Sequence, residues 1–414
     1  MEKRVLRIAL WAVVISSLNF IVRGYLRPLA RALTKIESHS DLRGPYFGAL
    51  DLRLGSNPYA QPDILPSAST LQKYGISRMK TGYSPQALIF YMPLTFLTFP
   101  AAKAIWLSLN FILVCFFIWL LYQFDFLLRT KMGLLFIIFL VTNFFPLIRS
   151  LDMGQNSIPI LFILSLGIVA LNLGKDVTAG TLLAIATFFK PFPGIIFMGL
   201  LLKRRWIPLL TGILVVFCSL MLTMMLFGHD VYFDFLKETY WRSVKVDTWW
   251  ANQSLQALWM RIFTINSESQ PWISVPILAW ILWGSCASTI FVLSCLVTLR
   301  FTEASLVGNL SLWLVTGLLI SPRAIDHYCI WLLIPVVTAF KFFINKNWRL
   351  MFLTSIAYGC LAYPGSYWKD FTSFHHGALL LLTSSQTWGM LLLYGILIYV
   401  NRFSTSECLS LRFK

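Results

Sequence analysis

Val177 to Leu202 reads VTAGTLLAIATFFKPFPGIIFMGLLL. One charge interrupts it: Lys190, between Phe188-Phe189 and Pro191-Phe192-Pro193. A lysine at the centre of a bilayer costs about 2.5–3.5 kcal/mol on insertion scales. A chain that keeps one sets it against a polar cavity, pairs it with an anion, or does not bury it deeply. As a single helix the stretch would put Lys175 and the cluster Lys203-Arg204-Arg205 on opposite sides of a membrane. Pro191 and Pro193 give a second reading, because proline lacks a backbone donor and clashes with the preceding turn. Two short spans, 177–190 and 191–203, then return those basic groups to one side. Fourteen residues rise only about 21 Å against a hydrocarbon core of about 30 Å. The apex at Lys190 would therefore lie below the membrane surface, reached from a water-filled cavity.

The rest of the chain agrees with a membrane setting. Of 414 residues, 57% are hydrophobic and 12% charged, and mean hydropathy is +0.71. Soluble domains carry about 25% charged residues. The net charge of +17 fits basic cytoplasmic loops and anionic lipid rather than nucleic acid. Seven cysteines (115, 218, 286, 295, 329, 360 and 408) show no CxxC or Cys/His spacing, which argues against a disulfide framework or a zinc site. The basic start, Lys3, Arg4 and Arg7, precedes an apolar run without a clear small-residue cleavage motif. We read that run as a retained first span.

Further spans are expected near 102–122, 132–148, 156–173, 206–227, 272–298, 304–321, 327–344, 348–363 and 377–401, after a first at 5–22. With the hairpin, these make an all-α polytopic protein of about 12 spans, with both termini cytoplasmic. Short links on that side carry Arg129, Lys131, Arg300, Lys346 and Arg349, and the tail carries Arg402, Arg412 and Lys414, in keeping with the positive-inside rule. Residues 1–414 form one membrane domain, with a long first outer loop at 23–86 and a second at 228–271. The first loop is basic, through Arg23, Arg27, Arg31, Lys35, Arg43, Arg53, Lys73, Arg78 and Lys80. It is broken by turns at Asn57-Pro58 and Gln61–Thr70. Ala87–Pro100 is too short to span comfortably and reads as an interfacial or re-entrant segment.

On the outer face the polar residues gather. Asp41 can act as a general base beside an acceptor hydroxyl, or be a solvated loop aspartate. Asp152, in the short link Asp152–Asn156, is a second carboxylate on the same face. Gln155 and Asn156 bind substrate or form a turn with Asn156 capping the next helix. Lys190 binds a phosphate as a point charge, snorkels, or pairs with a carboxylate. Asn252-Gln253-Ser254 follows Trp249-Trp250 and opens an amphipathic segment ending near Arg261; it reads as a head-group contact or as surface decoration. Arg323 and His327 lie in a tight turn, Ser321–His327, where both can meet phosphate or merely cap the turn. His375-His376 is interfacial rather than metal-binding, since adjacent residues point differently. What unites these residues is their shared side, which suits an anionic head group whose lipid tail stays in the bilayer.

In order along the chain, these segments resemble glycosyltransferase family 87, membrane enzymes of the GT-C superfold. The resemblance rests on Asp41–Tyr46, Gly55–Tyr59, Tyr83-Ser84-Pro85 with Pro93, Pro100 and Trp106, Gly154–Asn156, Gly180 with Lys190-Pro191, Asn252–Ser254, and Ser321-Pro322 with His327. Ser84 replaces the usual proline, and Arg323-Ala324-Ile325 the usual polar-aromatic turn. The resemblance implies a GT-C-type helix bundle and metal-independent transfer from a polyprenyl-phosphate sugar, without a cofactor. Mannose is the expected sugar, with arabinofuranose or another sugar as alternatives, and the acceptor a lipid-linked or envelope glycan. Asp41 would be the base, with inversion at the sugar carbon. Lys190, His327 and Arg323 would face the phosphate, and Gln155, Asn156, Asn252 and Tyr46 would bind substrate. The setting implied is a bacterial inner membrane. A transporter of lipid-linked oligosaccharides could use the same cavity, but has no need of Asp41.

Overall fold

The structure, a computed structural model, describes residues 2–34, 40–60, 81–123, 129–271, 273–302, 304–343, 347–363 and 365–403. The expected turn at Gln61–Thr70, the charges Lys35, Lys73, Arg78, Lys80, Lys346, Arg412 and Lys414, and Cys408 lie outside them. The described chain is helical, and its one β-contact is an isolated bridge between Asn252 and Ile325.

α1 (Glu2–Phe20) does not stop near residue 22. It continues through a π-helical turn, Ile21–Leu26, into α2 (Arg27–Thr34). The expected first outer loop therefore begins as helix. Pro28 explains the bulge: its missing donor is absorbed where the Arg27 N–H reaches back to the Val22 carbonyl, so the helix is re-registered rather than ended. α3 (Arg43–Arg53) and α4 (Pro85–Tyr91) follow as short helices. Between them Asn57 closes its turn by accepting the N–H groups of Tyr59 (3.0 Å) and Ala60 (3.3 Å). α5 (Phe99–Gln123) comes next.

The expected span 132–148 is two helices, α6 (Lys131–Thr142) and α7 (Phe145–Met153), bent by 55°. Pro146 opens the second of them, because proline suits a first turn but not a helix interior. α8 (Ser157–Asn172) runs back beside the hairpin made by α9 (Asp176–Phe189) and α10 (Ile196–Leu202). Between α9 and α10, Lys190 is extended (φ −151°, ψ 130°) and Phe192–Ile195 forms a 3₁₀ turn. This is the proline-broken arrangement expected from the sequence.

α11 (Trp206–Phe227) packs along α9. Gly180 makes the closest approach: a Cβ there would lie 2.3 Å from the Pro208 carbonyl oxygen. From that crossing the chain climbs ten residues to Lys190 but nineteen to Phe227. At ~1.5 Å per residue, Lys190 ends roughly 13 Å short of the end of α11.

The expected second loop also holds helices, α12 (His229–Val244) and α13 (Leu255–Phe263). Four more follow: α14 (Pro276–Arg300), α15 (Leu306–Ile320), α16 (Leu333–Phe343) after a 3₁₀ segment at Asp326–Leu332, and α17 (Trp348–Ala362). Last comes α18 (Ser385–Phe403), preceded by 3₁₀ turns. Among the described residues, five helical segments can cross a membrane by length and composition: 6–34, 99–123, 206–227, 276–300 and 378–403. The bent α6–α7 pair would be a sixth, and the other apolar helices, of 10–17 residues, are shorter. The expected count of about 12 is thus not met by helices of full membrane length.

The helices alternate in direction, so one end of the bundle collects Lys175, Lys203, Arg205, Arg300 and Arg402. There Lys203 Nζ caps α14 by donating to the Phe301 carbonyl (2.6 Å), and Arg205 pairs with Asp176 at 2.7 Å. The Lys190 turn lies at the other end.

Candidate active site

At that end a cavity of about 360 Å³ is lined by Asp41, Tyr83, Gln155, Lys190, Arg323 and His327, among others. The sequence scatters these groups over nearly 290 positions. Each is delivered by an identifiable local device.

Asp41 hangs from the end of α7. Its N–H donates to the Met153 carbonyl (3.0 Å), and Ser40 Oγ donates to the same oxygen (3.3 Å). Gly154 makes this possible, because its φ of +67° ends the helix and any Cβ would press on Ser40 Oγ and Leu42. Trp106 Nε1 locks the turn by donating to the Gly154 carbonyl (3.0 Å). Gln155, the next residue, then points into the cavity. Its Nε2 donates to Asp41 Oδ2, and its Oε1 accepts from Lys190 Nζ at 3.5 Å. The amide orientation is therefore assigned by its two partners.

Lys190 lies in the link between α9 and α10, outside the membrane-length helices. Ser84 Oγ, which also caps α4, fastens this end of α9 by donating to the Phe188 carbonyl (2.6 Å). The lysine ammonium stands 3.8 Å from the ring centre of Tyr328 and 5.7 Å from that of Trp331, within cation–π range. Phe192, Trp331 and Tyr328 stack in sequence, with centroids 5.2 and 5.3 Å apart. Burial among these rings lowers the Lys190 pKa to about 7, and the Asp41 carboxylate draws it partly back up. The side chain keeps some exposed surface toward the cavity.

His327 Nε2 is 3.5 Å from Lys190 Nζ. Its other ring nitrogen lies 3.4 Å from Asp326 Oδ1, which also receives the His327 backbone N–H at 2.7 Å. Asp326 thus favours the tautomer with the proton on Nδ1, leaving the Nε2 lone pair toward the lysine. Burial first, then the neighbouring lysine, lowers the His327 pKa; Asp326 opposes them. Arg323 forms the far wall, paired with Asp247 at 3.4 Å.

Four other expected residues lie elsewhere. Asp152 points to α2 and pairs with Arg31. Tyr46 is fully buried, with its hydroxyl donating to the Leu97 carbonyl (2.8 Å) and its ring edge-on to Phe47 and Phe99. Asn156 is buried behind Gln155 near the Tyr91 hydroxyl, and makes no side-chain cap on α8. Asn252 is wholly buried in a backbone bracket. Its Nδ2 donates to the Asp247 and Pro322 carbonyls (2.9 and 3.1 Å), and its Oδ1 accepts from the Ser254 and Ala324 N–H groups (3.2 and 3.0 Å). The bracket holds the Ser321–Arg323 wall. Arg261, 0% exposed, braces it from behind by donating to the Thr248, Trp249 and Asn252 carbonyls and to Ser384 Oγ; burial lowers its pKa to about 10. His375 rests on the Trp250 ring, 5.1 Å between centroids.

Sequence reasoning missed Tyr328 and Thr239, which also line the cavity. An aromatic beside His327 was a usable signal for Tyr328. Thr239 had none. Among the described residues no three His, Cys, Asp or Glu side chains gather to hold a metal ion.

Fold and cavity together define a helical integral-membrane protein with a carboxylate and a half-buried cation facing one cavity, joined by an amide. The family model of glycosyltransferase family 87 matches residues 81–322. That is more than half of the chain, and the chain belongs to this family. It is therefore a membrane glycosyltransferase, with a sugar donor and a glycan acceptor as substrates, rather than a transporter. No curated protein matches it. The matched segment contains Tyr83, Gln155 and Lys190 but not Asp41, Arg323 or His327, so the cavity joins family sequence to flanking sequence.

Proposed function

We propose that this cavity transfers mannose from a polyprenyl-phosphate donor to a hydroxyl of a lipid-linked or envelope glycan, with inversion, at the outer face of a bacterial inner membrane. The basic end of the bundle would then be cytoplasmic, both termini included. The short apolar helices would complete about 12 passes of a GT-C-type bundle, with α8 and α15 largely enclosed by their neighbours. The observation that carries this reading is the Asp41–Gln155–Lys190 chain, in which one amide joins a carboxylate to an ammonium within a single cavity.

The chemistry follows from charge. Asp41 takes the proton of the acceptor hydroxyl as that oxygen bonds to the anomeric carbon. The bond from that carbon to the phosphate oxygen breaks on the opposite face. A phosphodiester with one negative charge becomes a phosphomonoester carrying a second. Lys190, with Arg323 at the far wall, meets charge that grows during the reaction and so stabilises the transition state more than the ground state. His327 accepts from Lys190 and holds its ammonium on station. Gln155 donates to Asp41 and keeps it aimed. No metal or cofactor has a part in this scheme.

The test is to supply purified protein with polyprenyl-phosphate sugars of different head groups and a glycan acceptor. Polyprenyl phosphate should be released in step with glycosylated product, most rapidly from the mannosyl donor. Use of sugar nucleotides with no use of any lipid-linked donor would overturn the proposal.

A further inference from the structure

α12 departs from the end of α11 after a one-residue turn at Gly228 (φ 87°). α11 is a helix of membrane length whose last turns expose Leu222, Met225 and Leu226. α12 carries an exposed apolar surface of its own. Phe233 (59% exposed), Leu236 (47%), Tyr240 (61%) and Trp241 (60%) fall at i, i+3, i+7 and i+8, one stripe of a helix. Lys237 is exposed in the same arc.

The opposite face is committed to the protein. Asp234 Oδ2 accepts from Asn57 Nδ2 (2.8 Å), and Phe235 packs on Tyr59 with centroids 5.5 Å apart. Tyr59 in turn donates its hydroxyl to the Tyr83 carbonyl (2.5 Å), and Tyr83 lines the cavity. Thr239, on the same side of α12, lines it directly. One helix thus separates an exposed aromatic stripe from the cavity.

We propose that α12 lies on the membrane with this stripe seated among lipid chains, and that its rim admits the hydrocarbon tail of the donor to the cavity beside Thr239. Three observations choose lipid as the occupant. The stripe begins seven residues after Leu226, an exposed residue in the last turn of the membrane-length helix α11. Its aromatic rings are the kind enriched where hydrocarbon meets head groups. The exposed Lys237 in its arc can snorkel toward anionic phosphate. The tail-admitting part rests on the lipid-linked donor proposed above; the lipid seat does not.

The two parts are tested separately. The full chain is reconstituted in vesicles of phosphatidylethanolamine and phosphatidylglycerol, with photoreactive p-benzoylphenylalanine at Phe233, Tyr240 or, as reference, Met225. Irradiation should give lipid adducts at all three positions. Adducts at Met225 with none at Phe233 or Tyr240 would overturn the lipid seat. Next, the variant Phe233→Ser/Tyr240→Ser/Trp241→Ser is compared with wild type on long-chain and short-chain polyprenyl-phosphate donors. Its long-to-short turnover ratio should fall about tenfold, the equivalent of ~1.4 kcal/mol. An unchanged ratio would overturn tail admission even with the seat intact. Failure of wild type to use either donor would reject the lipid-linked donor, and with it tail admission, and leave the crosslinking result standing.

Discussion

The molecule carries two amide pairs of similar composition, Gln155-Asn156 at the start of α8 and Asn252-Gln253 ahead of α13. All four side chains are buried, yet the pairs do different work. Gln155 bonds to two ionisable side chains, Asp41 and Lys190. Asn252 and Gln253 bond only to backbone: Gln253 donates to the Trp250 and Thr383 carbonyls and accepts from the Gln386 N–H. An amide held between charges transmits position from one reactive group to another. An amide saturated by backbone fixes a wall. The distinction lies in the partners, which the sequence does not print beside either pair.

The sharpest way to strain the contrast is at the ends of the Gln155 chain. Asp41→Asn keeps shape and an acceptor for Gln155 but removes the base. Single-turnover transfer should fall about 10²–10⁴-fold, while the unfolding midpoint in detergent stays near wild type. Wild-type turnover would reject Asp41 as base. Lys190→Met should cost about 10²–10³-fold, as loss of one stabilising group does at other sites of developing charge. Most of the loss should appear in kcat, because the cation meets charge that grows during transfer. A rise in KM alone would mean that Lys190 binds donor and transition state equally.

Gln155→Leu tests the middle of the chain. Losing two bonds to charged partners should slow transfer about 10–100-fold, with both ends still present. If turnover is unchanged, Asp41 and Lys190 are positioned by their own backbones and the amide is a bystander.

Titration gives a smaller effect with a definite sign. The Lys190 pKa is lowered to about 7, so the free enzyme carries the ammonium below that pH and loses it above. The kcat/KM for the donor should therefore decline as pH rises through about 7, with no such limb in Lys190→Arg, whose guanidinium stays charged. A limb of equal position in both would assign it to another group.

Much of this architecture was legible, for reasons that can be named. Pro191 and Pro193 announce the break at Lys190, because a missing donor cannot be hidden inside a helix. Gly154 next to Gln155-Asn156 announces a helix end. Pro28 sets the limit of that signal: a π-helical turn absorbs it and the first helix runs on past residue 22, and nothing local distinguishes absorption from termination. The site was legible as a set of residues on one side. It was not legible as a cavity. Asp152 and Asp41 share that side, yet one reaches α2 and the other Gln155, a choice made by the turn at Gly154. Asn252 looked like a head-group contact because its bracket partners, Pro322 and Ala324, lie some seventy positions away.

Asn252→Ala should move the activity least, and so tests the other half of the comparison. It removes no group that faces the cavity, but strips the partner from the buried Ala324 and Ser254 N–H groups, while Ser254 Oγ still donates to the Pro322 carbonyl. Leaving such groups unpaired costs about 1–3 kcal/mol each, so the unfolding midpoint should drop clearly. Turnover by the molecules that remain folded, and their KM for donor, should stay close to wild type, since Arg323 keeps its own pairing with Asp247. The opposite result, a stable protein with a raised donor KM, would mean that Asn252 turns to the substrate when it arrives. The two amide pairs would then be alike after all, and the bracket would be the resting state of a binding group.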